Sequence, residues 1–312
     1  SVSFQTDSSA IHVRWSGHDF EEEPGHYDTF SVNGFDLYAY DAIDEDWRWV
    51  GLTRGMHASA TDVFTLKQDH PRGRHRYLLY FPMGKTVKQA WLGLGAGSFF
   101  EFEPPRTDPP LLYYGTSLIN GACSSRPGLS LAARLAREFD LPLLNFGFAG
   151  SAEMQIELAE LMSELTPALF FVDVLQNLDL SLTPERVEPF LGKIASSHTG
   201  IPVFVLENCP RLSAFWIENA CKAQKYWWKV YRRMFRNVHL DFANLHYITG
   251  LDLMGIDRET ASDGVHANDL GFDRMFQRVV RSVRRICPEF RPRVSAKEKR
   301  RRYLKHFGLK TK

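Results

Sequence analysis

From residue 1 to about 105, apolar and polar residues alternate in short runs. Ile11, Val13 and Trp15 take every second position, and Phe35 to Tyr40, Trp47 to Val50, Val63 to Leu66 and Tyr77 to Phe81 follow, with Gly, Asp and Pro between them. A two-residue period buries one face of a strand, so this pattern predicts an antiparallel β-sandwich. Pro104-Pro105 and Pro109-Pro110 resist both helix and central strand and mark a boundary.

Beyond the prolines the period changes. Leu111 to Tyr114 reads as a strand, and Ser130 to Phe139 as a helix with Leu131, Leu135 and Phe139 on one face. Leu143 to Phe146, Ala168 to Val174, Pro202 to Leu206 and Leu245 to Ile248 read as further strands. Between them lie helical stretches: a stripe of Met154, Leu158, Leu161 and Leu165, a start at Thr183-Pro184, and an aromatic-rich run from Ser213 to Phe235. A last helix from about Asp269 repeats Phe272, Met275, Phe276, Val279, Val280 and Val283 at helical spacing. Strands alternating with helices build a parallel sheet covered on both faces, an α/β fold.

Candidate chemistry collects where these strands end. Tyr114 is followed by Gly115-Thr116-Ser117, which sets a hydroxyl at the rim of the sheet, where open α/β sheets bind ligands. A serine needs a base to become a nucleophile, and Asp263-Gly264-Val265-His266 supplies a histidine with a carboxylate three residues before it, a spacing that lets the acid orient the ring. Asn145 to Gly150 and Gln176-Asn177 follow two other strands, so a glycine and an amide reach the same rim. Backbone N–H groups and an Asn amide are the donors that an acyl-transfer oxyanion requires.

These residues together resemble the SGNH (GDSL-type) hydrolase superfamily. Gly121 to Gly128 and Asp269 to Phe272 are similar to one branch of it, which carries an N-terminal β-domain whose Gly-x-Asp-Leu-Tyr signature matches Gly34-Phe35-Asp36-Leu37-Tyr38. The resemblance spans about residues 10 to 287. It implies a three-layer α/β/α, flavodoxin-like catalytic domain, with Ser117 as nucleophile, His266 as base and Asp263 orienting it. It also implies an oxyanion hole made by the N–H groups of Ser117 and Gly150 and the side chain of Asn177, with no metal and no organic cofactor. Thr116 stands where the name motif has Asp, and Gln176 where the pattern has proline before Asn177. The expected organisation is residues 1–105 as the β-sandwich domain, 106–290 as the catalytic domain and 291–312 as a basic tail.

Composition narrows the classes. With 44% hydrophobic and 24% charged residues in 312, the chain reads as a globular protein able to bury a large core. No apolar run reaches the roughly 20 residues that span a bilayer. The chain starts at Ser1 without an initiator Met, which points to a trimmed product and favours a secreted or periplasmic location. Cys123, Cys209, Cys221 and Cys287 show no CxxC pair, and His18, His26, His57, His70 and His75 no metal-ligand spacing. Cys123 is expected to be a small buried thiol.

The net charge of +1 hides a segregation. Residues 291–312 hold ten basic residues against one acidic, leaving 28 basic and 36 acidic in the rest of the chain. Such a tail is expected to be a solvated terminal helix or arm, since the chain lacks the basic and aromatic interleaving of a nucleic-acid surface. The small polar residues Gly121 to Arg126 and Gly150 to Ala152 leave little apolar surface for a long acyl chain. The expected substrate is therefore a small-molecule or carbohydrate ester of a short acyl group, with Trp47, Trp49 or Trp91 available to a sugar ring. The alternatives are an acylhydrolase for longer chains and a non-catalytic carbohydrate-binding protein.

Overall fold

A computed structural model describes residues 1–18, 27–42, 44–53, 64–67, 73–84, 86–178, 183–292 and 294–309. Val63, His26, His57 and His70 lie outside the described residues, as does the side chain of His18.

Among the described residues the alternation in the first hundred positions produces eight strands: β1 (Val2–Thr6), β2 (Ile11–His18), β3 (Asp36–Asp41), β4 (Asp46–Leu52), β5 (Phe64–Lys67), β6 (His75–Tyr80), β7 (Thr86–Leu94) and β8 (Phe100–Phe102). They form two antiparallel sheets, ordered β4-β3-β6-β1-β8 and β5-β2-β7, and a short helix α1 (Thr29–Asn33) precedes β3. Phe4, Leu37, Tyr77 and Leu79 of the first sheet share one core with Ile11, Val13 and Trp15 of the second. The alternate positions predicted to point inward are thus the ones that do.

The second half is a parallel sheet of β9 (Leu111–Gly115), β10 (Leu143–Gly147), β11 (Leu169–Asp173), β12 (Val203–Leu206) and β13 (Leu245–Ile248), ordered β10-β9-β11-β12-β13. The helices are α2 (Ser117–Asn120), α3 (Leu131–Phe139), α4 (Ile156–Ser163), α5 (Thr183–Ser197), α6 (Ser213–Trp216), α7 (Glu218–Asp241), α8 (Asp269–Ile286) and α9 (Ala296–His306). Successive strand residues point to opposite faces. Leu111, Tyr113, Leu169 and Phe171 therefore pack with α3 and α8, while Leu112, Tyr114, Phe170 and Val172 pack with α4, α5 and α7. Because β9, β11 and β12 are buried on both faces, they read as unbroken apolar runs.

Two helix predictions need correction. Met154 is buried but lies ahead of α4 in a left-handed backbone (φ 56°); Leu158 and Leu165 pack against the core as expected, whereas Leu161 is 61% exposed and Ala159 and Met162 are buried in its place. The single helix expected from Ser213 is broken at Ile217, whose extended backbone (φ −114°, ψ 115°) separates α6 from α7. Within the basic tail, α9 is capped by Ser295 and joined to β4 by Lys299 Nζ, 2.7 Å from Asp46 Oδ2.

Candidate active site

At the carboxyl end of β9 the chain turns sharply. A Cβ at Gly115 would fall 2.4 Å from Ile119 Cγ1 and 2.9 Å from the Asp173 carbonyl oxygen, so only glycine permits this turn. Thr116 stays extended and Ser117 opens α2, with its side chain at the sheet rim. The second component arrives on the loop before α8. That loop is closed by the pairing of Ala261 with Ala267, by Ser262 N–H donating to the His266 carbonyl at 3.1 Å and by Asn268 capping α8.

The two segments meet. Ser117 Oγ lies 2.8 Å from His266 Nε2, and His266 Nδ1 lies 2.6 Å from Asp263 Oδ2. The other Asp263 oxygen accepts the backbone N–H groups of Val265 at 2.9 Å and His266 at 2.7 Å. Partial burial raises the Asp263 pKa, but the His266 N–H, the His266 ring and the Val265 N–H together outweigh it and bring the carboxyl down to about 2. A hydroxyl, an imidazole and an ionised carboxylate in series are the arrangement that nucleophilic acyl transfer uses.

Ser117, Gly150, Asn177 and His266 line one cavity of about 390 Å³. Asn177 Nδ2 donates to the Ala149 carbonyl oxygen at 2.5 Å, which fixes the amide beside Gly150 and leaves its second N–H uncommitted to that bond. Nothing lies within 4 Å of where a Gly150 Cβ would stand, so its backbone is open to a ligand. Of the five residues expected to form the triad and the oxyanion hole, four line this cavity, and Asp263 stands behind His266.

Trp47, Trp49 and Trp91 do not line it. Trp49 Nε1 instead donates to Asp36 Oδ1 at 2.8 Å, and Trp91 lies under Arg14, 4.8 Å from its ring. Sequence reasoning missed Tyr27, Asn208 and Arg211, which do line the cavity. Each comes from a loop with no periodic pattern, so nothing local marks it.

Cys123 is buried, as expected, but its sulfur, an Asp263 oxygen and a His266 nitrogen lie within 4.8 Å of one another. Among the described residues these are the side chains grouped closely enough to hold a metal ion. Burial, then the nearby Asp263 charge, push the thiol up to about 11, and Asp263 and His266 already bond each other, so the group is poorly prepared as a metal site.

The Gly-x-Asp-Leu-Tyr stretch reaches the site from the antiparallel side. Asp36 is fully buried, and its Oδ2 accepts Arg126 Nη1 at 2.9 Å and the Gly128 N–H at 2.8 Å. Arg126 also donates to the Tyr38 hydroxyl. A Cβ at Gly128 would stand 2.4 Å from Tyr38 Cε2, so this contact requires glycine. Next to it, the Ser125 N–H and hydroxyl donate to the Asp269 carboxylate at 2.9 and 2.5 Å, at the first turn of α8 and just past His266. The signature therefore holds the loop that holds the histidine segment.

Comparison with known proteins places the chain. Residues 108–284 match the GDSL-like lipase/acylhydrolase family. The chain belongs to that family. Residues 1–100 match the N-terminal region described for SGNH hydro-type esterases. Among solved structures, a Bacteroides ovatus protein described as a GDSL-like lipase is similar at 25% identity and a TM-score of 0.84, covering 92% of this chain and 84% of that one. The salicylyl-acyltransferase of a tetracycline biosynthetic pathway shares the fold at 18% identity and a TM-score of 0.73, covering 93% of this chain and 83% of that one. So does a family two carbohydrate esterase from Clostridium thermocellum, in complex with cellohexaose, at 11% identity and a TM-score of 0.62, covering 92% of both chains. No curated protein matches the chain. Membership of the GDSL-like family makes the chain an acylhydrolase. Among the described residues no helix is long and apolar enough to cross a membrane.

Proposed function

We propose that this protein is a serine esterase that removes short acyl groups, acetyl above all, from carbohydrate or small-molecule esters. Ser117 attacks the ester carbonyl, and His266, oriented by Asp263, takes its proton and passes it to the leaving alcohol. Water, deprotonated by His266, then releases the acyl group. The N–H groups of Ser117 and Gly150 and the amide of Asn177 hold the oxyanion of both tetrahedral intermediates. The observation that carries this reading is the hydrogen-bonded series from Ser117 through His266 to Asp263, with spacings of 2.8 and 2.6 Å. In the same reading residues 1–105 form the N-terminal domain, 106–290 the catalytic domain and 291–312 the tail.

The amides of Gln176, Asn177 and Asn208 on the cavity wall support a small polar substrate. A second reading, hydrolysis of longer acyl chains, is favoured by the exposed apolar turn Phe215, Trp216 and Ile217 just past Arg211. A panel of aryl esters from acetyl to octanoyl separates the two. Each methylene buried in an apolar channel contributes about 0.8 kcal/mol, so a long-chain enzyme gains steeply along the series. We expect kcat/KM to fall instead; octanoyl favoured over acetyl by more than about tenfold would defeat the short-chain reading. Ser117→Ala should remove turnover by on the order of a millionfold and abolish labelling by a serine-directed phosphonate.

A further inference from the structure

Arg211 is the one side chain of permanent charge, among the described residues, on the wall of the cavity that holds Ser117 and His266. Its position is set on two sides. The next residue, Leu212, donates its N–H to the Gly264 carbonyl at 3.0 Å, which ties the segment to the histidine loop. The guanidinium donates to the Gln176 carbonyl at 3.3 Å and lies 5.8 Å from the Trp227 ring.

Among the described residues it has no counter-charge. Arg126, Arg134, Arg186 and Arg232 each pair with a carboxylate, whereas Arg211 makes no ion pair among the described residues. Asp263 is turned to the far side of His266, and its oxygens are taken by that ring and by two N–H groups. A guanidinium has five N–H donors in a planar fork, and the contact to Gln176 uses one. The others suit a carboxylate, which a guanidinium binds through paired, charge-assisted hydrogen bonds.

We propose that Arg211 binds an anionic group on the alcohol part of the ester, so that the substrate is an acylated carboxylic acid such as a sugar acid. The assignment to the alcohol part rests on the reading of a short acyl group at Ser117. A neutral ester then leaves the guanidinium solvated and loses orientation over the nucleophile.

Two acetyl esters that differ by one charge, 4-acetoxybenzoate and its methyl ester, test this. The quantity read is the ratio of their kcat/KM values, compared between wild type, Arg211→Gln and Arg211→Lys, so that the intrinsic reactivity of the two phenols cancels. We expect Arg211→Gln to lower the ratio by roughly tenfold and Arg211→Lys to lower it less, and the wild-type ratio to shrink between about 0.05 and 0.5 M salt. The second arm needs no turnover: 4-hydroxybenzoate binding to Ser117→Ala protein, measured by calorimetry, should weaken roughly tenfold when Arg211→Gln is added.

An unchanged ratio in Arg211→Gln, with hydrolysis still dependent on Ser117, overturns the proposal and leaves the esterase reading standing. If neither ester is cleaved and Ser117 is not labelled, the esterase reading falls, and the binding arm alone decides: equal affinity with and without Arg211 overturns the anion site, and Arg211-dependent affinity upholds it.

Discussion

Gln176 Nε2 donates to Thr116 Oγ1 at 2.6 Å, across sixty residues of sequence. These are the two positions at which the chain departs from the pattern of its superfamily, and they touch each other. The same amide also donates to Asp173 Oδ1 at 3.1 Å. Gln176, the residue before Asn177, thus connects the residue before Ser117 to the end of β11. Where a proline would stiffen the backbone, a side chain ties it down.

If this bond is what fixes the segment, the two substitutions are not independent. Gln176→Ala leaves the fully buried Thr116 hydroxyl without this donor, and Thr116→Val removes the acceptor. Each should cost about 1 to 3 kcal/mol, and the double variant should fall short of the sum by about 1 kcal/mol. Urea unfolding of the four proteins measures this. Strict additivity would show that the contact contributes nothing.

Asp173 lies below this bond, and its charge has a price. Burial raises its carboxyl from 3.8 to about 6, against the opposing hydrogen bond from Gln176. A folded-state pKa above the unfolded one means that the native protein holds the proton longer. Stability should therefore drop as pH climbs from about 4 to about 6 and stay level beyond. Asp173→Asn removes that loss, so its gain in Tm over wild type should grow across this interval and hold at neutral pH, with an advantage on the order of a few kcal/mol. A difference in Tm that does not vary with pH contradicts the assignment.

Asp263 behaves in the opposite sense. With its carboxyl held at about 2, it stays ionised in the folded protein at any pH above about 4, and the stability it adds is lost only as pH falls from 3.8 toward 2. An acid limb of activity above pH 4 therefore does not come from loss of the Asp263 charge. Asp263→Asn should keep the fold and lower turnover, by about ten-thousandfold where the corresponding change has been made in another Ser-His-Asp enzyme.

Asn177→Ala tests the oxyanion site. Turnover should fall about a hundred- to a thousandfold with little change in KM, because the amide acts once charge develops on the oxygen. A higher KM at constant kcat would make Asn177 a group that holds the substrate instead.

The parts of this molecule that were legible in the sequence are those written by local periodicity. The run from Leu111 to Tyr114 is apolar because β9 is buried on both faces, and the small residues after it mark the turn that exposes Ser117. Asp263 and His266 are visible as a pair because three residues of irregular loop bring them together. Arg211, Asn208 and the Gln176 bond to Thr116 were not legible, since they depend on where loops far apart in sequence come to rest. The exposure of Leu161 was not legible for a related reason: a left-handed backbone at Met154 resets the phase, and no apolar spacing announces it.

Asp36 carries a consequence for how such a chain can be assembled. Its carboxylate is sealed from water, and burial raises its pKa against the pull of Arg126, Gly128 and Trp49. One partner comes from the antiparallel sheets and two from the segment between α2 and α3 in the parallel half. Exchange either half for an unrelated one and a buried acid or a partly buried arginine is left unanswered, a fault that costs on the order of a few kcal/mol for the acid. A replacement half is therefore tolerated at this seam only if it brings its own answer to that charge.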